Sequence, residues 1–143
     1  MTADAELRVP ADVQYVGLAR LVVAAAARQA GMVDERLEDL KIAVSEATTN
    51  AIVAHQRAGS AKPVVLRFGA SRGKGFEVTI ADTGPGFEPQ PEGATLDRDP
   101  EIEGGLGVTI IRGLADDVEF IRSAGMRVNM RFVVGLDVES APP

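Results

Sequence analysis

The stretch "EATTNAIVAH", Glu46–His55, decides how this chain is read. It has helical character, yet it carries a carboxylate and a carboxamide four residues apart among small and apolar neighbours. Placed at 100° per residue, Leu37, Leu40, Val44, Ala47 and Ala51 share one face, which is expected to pack on a sheet. Lys41, Ser45, Thr48 and Gln56 mark the expected solvent face. Glu46 and Asn50 fall on neither and share a third face with Ile42, Ala43 and Val53. An i, i+4 pair points the same way, so both side chains can reach one ligand. A carboxylate beside aliphatic groups is costly unless something polar or cationic meets it. Asn50 offers a hard neutral oxygen suited to Mg²⁺, and Glu46 a group that accepts a proton or orients a hydroxyl. Taken from this helix alone, the pair reads more simply as a partly solvated helix residue and a helix-to-loop hydrogen bond.

Outward from this helix, the chain alternates strand and helix signals. "ELRVP" predicts a short strand before Pro10. Asp12 is the expected N-cap of a first helix running to about Ala30 and closed by Gly31. Asp34 is the expected cap of the second, over Leu37 to Gln56. "KPVVLRFGA" and "GFEVTIAD" are apolar-alternating runs joined by "SRGKG", a hairpin signal. A lid of Pro, Gly and acids follows over 83–103, too long for a plain connector. "GGLGVTIIRGLA" reads as a glycine-led helix, and "DVEFIRS" with "MRVNMRFVVGL" as a closing hairpin. This order predicts an α+β fold: a two-layer α/β sandwich with a mixed, mostly antiparallel sheet and helices on one face. The expected domain covers 9–136, between an N-terminal segment (1–8) and a disordered tail (137–143).

Composition narrows the classes. The 143 residues allow one core. Only 4% are aromatic, so Val, Ile, Leu and Ala must build it. The net charge of −6 disfavours direct nucleic-acid binding, which needs a basic surface. With no Cys and one His, disulfides, thiolate zinc sites and a histidine metal cluster are excluded. No apolar leader opens the chain and no run approaches the ~20 residues of a membrane span, so a cytoplasmic protein is expected.

Two further stretches bear on the pair. "IADTGPGF" sets Asp82 at a strand end, followed by Gly84 and Gly86. That is good turn chemistry, and also a pocket floor: an acceptor for an exocyclic amine beside room for a flat ring. "EGGLGVTII" places Gly104, Gly105 and Gly107 at the start of a helix, where free N–H groups and the dipole attract anions. No parallel strand precedes these glycines, so they are not a dinucleotide-binding fingerprint, and no P-loop motif occurs.

The series E-x-x-x-N, D-x-G-x-G and G-x-G opening a helix resembles the N, G1 and G2 boxes of the GHKL (Bergerat-fold) ATP-binding superfamily. The small size and the wording "SEATTNAIVAH" are most similar to the bacterial anti-sigma factor serine/threonine-protein kinases of partner-switching systems. The resemblance spans about Val9 to Val134. It implies that Asn50 coordinates the Mg²⁺ bridging the phosphates of ATP. It implies Glu46 as general base, Asp82 as the adenine contact, and Gly84, Gly86, Gly104, Gly105, Leu106, Gly107 and Val108 as the lining around base and phosphates. It further implies a sigma factor and an STAS-type anti-sigma antagonist as partners, and a homodimer, which relatives commonly form.

The chain departs from the pattern in three places. The lid from Glu88 to Glu103 carries six acids and one base, Arg98. Gly125-Met126 stands where relatives often have Gly-Thr linked to the adenine pocket. His55 lies five residues after Asn50 rather than four, turned about 100° from its face, and receives no catalytic role. Two functions stay open: an active kinase, favoured by Glu46, and a non-catalytic ATP-binding anti-sigma regulator, favoured by the acidic lid.

Overall fold

The computed structural model describes residues 5–71, 73, 75–82, 107–122 and 125–135. Five strands form one sheet in the order β1-β2-β3-β5-β4. They are β1 (Ala5–Val9), β2 (Val64–Ala70), β3 (Gly75–Ala81), β4 (Asp117–Arg122) and β5 (Met126–Val133). The sheet, expected to be mostly antiparallel, is antiparallel in all four described pairings. In two of them the reason is local: β2 and β3 are joined by a short connection, as are β4 and β5, and such connections reverse the chain. β1 is drawn from the segment expected to precede the domain and pairs with β2, Leu7 opposite Leu66.

Alternation along the strands sorts the side chains. Val64, Leu66 and Phe68, then Phe76, Val78 and Ile80, then Val128, Met130 and Phe132 are buried on one face. Arg67, Glu77, Thr79, Asn129 and Arg131 occupy the other rows of the register. A cavity of about 350 Å³ opens on that second face, lined by Glu77, Asp117, Glu119 and Arg131 among others, and is separated by the sheet from the helices.

Two long helices cover the apolar face, α1 (Val16–Gln29) and α2 (Asp34–Ala58). α1 buries Ala19, Val23, Ala24 and Ala27. These small residues at helical spacing let it lie close to α2. Asp12 does cap, accepting from Gln14 N–H, but it opens a 3₁₀ turn (Val13–Tyr15) that leads into α1. Asp34 is the first residue of α2 rather than its cap, which is Val33; its carboxylate still complements the positive helix end. α2 buries Leu37, Leu40, Val44, Ala47 and Ala51, as its periodicity predicts, and also Thr48. The expected solvent position of Thr48 is wrong because α1 packs over that face of α2. The helix stops where Ser60 N–H reaches the His55 carbonyl (2.9 Å) and Gly59 N–H the Gln56 carbonyl (3.1 Å). This left-handed terminal turn needs the φ of +68° that Gly59 supplies.

A third helix, α3, covers residues 107–114. Val108 and Ile111 anchor it in the same core. Arg36 ties its far end to α2. The guanidinium meets Asp39 at 2.7 Å and Asp116 at 2.6 Å, and donates to the Leu114 carbonyl at 3.5 Å. It also lies over the Phe132 ring, 5.7 Å from the centroid. The start of α2, the end of α3 and β5 are thereby fixed in mutual position, which settles where α3 begins relative to the middle of α2.

Candidate functional site

Glu46 and Asn50 sit one helical turn apart on α2, the first half-buried and the second exposed. Neither has a hydrogen bond or ion pair to another described residue. Gly107, the first described residue of α3, closes over them. A Cβ built on Gly107 would stand 3.0 Å from Glu46 Oε1 and 3.3 Å from Asn50 Nδ2. With any side chain here, the ends of the Glu46 and Asn50 side chains would have to give by a few tenths of an ångström. The α3 backbone at Gly107, the carboxylate and the carboxamide therefore converge at one point. Backbone N–H groups and a hard oxygen donor in one place suit a phosphate with its cation.

The second half of the site lies at the end of β3. Asp82 continues the inward row Phe76, Val78, Ile80 and is 8% exposed. Its N–H donates to the Met126 carbonyl at 2.8 Å. This is a backbone link at the position where the sequence predicted the loss of a side-chain link. Gly125 packs directly on the Asp82 carbonyl, with φ +156°. Any side chain there would collide with the backbone that carries Asp82.

Sequence reasoning missed one neighbour. His55 is completely buried, its Nε2 2.8 Å from Asp82 Oδ1 and its Nδ1 2.8 Å from the Lys62 carbonyl. It had been set aside because it does not share the face of Asn50, which is correct. The signal that finds it is the other face: His55 is four residues beyond Ala51 on the sheet-facing stripe, and Asp82 is two beyond Ile80 on the inward row. Both periodicities run out at the same place.

Of the residues singled out from sequence, the structure brings together Glu46, Asn50 and Gly107 and holds Asp82 at the adjoining strand end. Val108 is buried in the core, so only its backbone can line a ligand. Gly84, Gly86, Gly104, Gly105, Leu106 and the lid over 83–103 lie outside the described residues.

Comparison with known proteins identifies the family. Residues 9–132 match the histidine kinase-like ATPase domain family. The serine-protein kinase RsbW of Bacillus subtilis (strain 168) is 36% identical over 134 residues, covering 87% of this chain and 82% of its own. The RsbW of Staphylococcus aureus (strain MRSA252) is 34% identical over 133 residues, covering 87% and 83%. Among solved structures, the RsbU and RsbW domains of a Mycobacterium tuberculosis protein share the fold with a TM-score of 0.67. At 15% identity, that match covers 92% of this chain and 32% of that one. The histidine kinase domain of a blue-light-activated histidine kinase from Erythrobacter litoralis has a TM-score of 0.52 at 27% identity, over 87% of this chain and 61% of that one. A five-stranded sheet under two long helices, a carboxylate and carboxamide beneath a glycine-led helix, and this extent of identity lead to one assignment: the chain belongs to the histidine kinase-like (GHKL) ATPase domain family, among its RsbW-like serine/threonine-protein kinases.

Proposed function

We propose that this protein binds Mg·ATP between α2, α3 and the end of β3, and transfers the terminal phosphoryl group to a serine or threonine of an STAS-type anti-sigma antagonist. In the alternate state of the switch it holds a sigma factor. The observation that carries the reading is the junction of Glu46, Asn50 and Gly107, at 3.0 and 3.3 Å from the position of a Gly107 Cβ. Mg²⁺ neutralises charge on the phosphates when bound. Asn50 is the residue of this chain to hold it. The backbone N–H groups that start α3, Gly107 and Val108 among them, face the phosphates, with Gly104, Gly105 and Leu106 preceding them. Asp82 takes the exocyclic amine of adenine, and Gly84 and Gly86 leave room for its ring.

Glu46 does the proton chemistry. As the hydroxyl oxygen of the antagonist forms its bond to phosphorus, the bond from phosphorus to the bridging oxygen breaks and ADP departs. The hydroxyl proton passes to the Glu46 carboxylate. Phosphoryl transfer needs little more of a protein than this positioning. The net charge of −6 accords with action through protein partners, without direct nucleic-acid contact. Among the described residues no helix is long and apolar enough to cross a membrane.

One observation favours a second reading. The segment Glu88 to Glu103 has six acids and only Arg98 as a base, so repulsion of a triphosphate favours a regulator that binds ATP and sigma factor without transfer. One experiment separates the two: incubation with Mg·ATP and an STAS-domain antagonist, followed by the intact mass of the antagonist. A kinase adds one phosphate. Glu46→Ala then lowers the rate by ~10²-fold or more with ATP affinity largely retained, because Glu46 acts on the hydroxyl. Equal loss of binding and transfer would remove Glu46 from that role.

A further inference from the structure

The buried pair at the end of β3 has a chemistry of its own. His55 Nδ1 lies 2.8 Å from the Lys62 carbonyl, which can only accept, so Nδ1 carries a hydrogen. Nε2 lies 2.8 Å from Asp82 Oδ1. The contact is off the ring N–H direction, and Nε2 makes no well-aligned hydrogen bond; ring and carboxylate are held against each other across a short, buried gap. His55 is 0% exposed and Asp82 8%, so water competes little with this contact.

We infer that His55 is a positioning residue for nucleotide recognition: its ring, buried 2.8 Å from Asp82 Oδ1, holds the Asp82 carboxylate in one orientation, so that Asp82 selects a base bearing an exocyclic amine. The inference rests on the proposed assignment of Asp82 to adenine. A carboxylate free to rotate offers no fixed acceptor and discriminates poorly between an amine and a carbonyl. The ring removes that freedom. It is itself fixed at both ends, by the Lys62 carbonyl and by its place in the terminal turn of α2, where its own carbonyl receives Ser60 N–H at 2.9 Å. The Asp82 backbone is pinned by Met126 and Gly125 from the opposite side.

The test compares Mg·ATP with Mg·ITP, which has a carbonyl where adenine has the amine, by equilibrium binding to the full chain. Wild type prefers ATP. His55→Leu is expected to weaken ATP about 10-fold and leave ITP nearly unchanged, so discrimination collapses. His55→Gln, which keeps an amide donor, recovers part of it. A merely structural histidine would weaken both nucleotides alike, and that outcome overturns the inference. Asp82→Asn is the control on the underlying reading. If it loses ATP while both His55 variants discriminate normally, the positioning role falls and the adenine site stands. If Asp82→Asn binds ATP like wild type, the adenine assignment itself falls. Should His55→Leu fail to fold, the wild type still decides. It has a single histidine, so its ring ¹⁵N signals need no assignment. An Nε2 signal that moves when ATP is added and keeps its place with ITP supports the inference, and one that answers to neither nucleotide overturns it.

Discussion

Replacing Gly107 by Ala tests whether Glu46, Asn50 and the start of α3 form a working site, because the change pulls stability and activity in opposite directions. Gly107 has no positive φ, so its backbone accepts Ala without strain. Within a helix the substitution normally stabilises by ~0.5–1 kcal/mol. With ~2.1 cal/mol/K of unfolding entropy per residue, the 143-residue chain gains about 2–3 °C in Tm. The new methyl would stand 3.0 Å from Glu46 Oε1 and 3.3 Å from Asn50 Nδ2, inside ordinary van der Waals separation. The two side chains must give way by a few tenths of an ångström or more. A misplacement of 1 Å costs up to ~10²-fold in rate, so a ~10-fold fall in phosphorylation of the antagonist is expected, about 1.4 kcal/mol in the barrier. Gly113→Ala is the matched control. It lies in the same helix with nothing within 4 Å of its Cβ position, and should stabilise while leaving transfer untouched. The assay is initial phosphorylation rate at saturating Mg·ATP, with melting curves in parallel. If both variants melt higher and both transfer at the wild-type rate, Glu46 and Asn50 are not at the reacting phosphate.

Two other predictions concern the frame. Gly125→Ala drives a methyl into the Asp82 carbonyl and should lower ATP affinity by ~10-fold alongside a falling Tm; unchanged affinity measured by titration calorimetry would show that Asp82 tolerates a backbone shift. Phe132→Ala empties a fully buried position beneath Arg36 and should cost ~3–5 kcal/mol in urea unfolding. A loss under 1 kcal/mol would mean that the core collapses around the gap.

The local elements were legible because their signals are local. The periodicity of Leu37 to Ala51 gave a sheet-facing stripe, and strand alternation gave the inward rows ending at Ile80. The error at Thr48 arose where packing, not the segment, sets the environment: it is polar and was expected to face water, yet it is buried. For the candidate site, residue types and order pointed to Glu46, Asn50, Asp82 and the G2 glycines, while the pairing of His55 with Asp82 emerges only when the helix stripe and the strand row are taken together.

The sequence by itself determined that a carboxylate and a carboxamide share one helix face, that an aspartate ends a strand, and that a glycine-led helix follows. These are statements about period and composition, and backbone geometry enforces them wherever the segment forms. Only the tertiary structure decided that α3 starts directly over Glu46 and Asn50, with Arg36 anchoring its far end. It alone decided that the last turn of α2 and the last residue after β3 meet as His55 and Asp82, 2.8 Å apart. Those two residues are separated by a loop and a hairpin. Their contact depends on the stagger between a helix and a sheet, which is set by how the whole core packs.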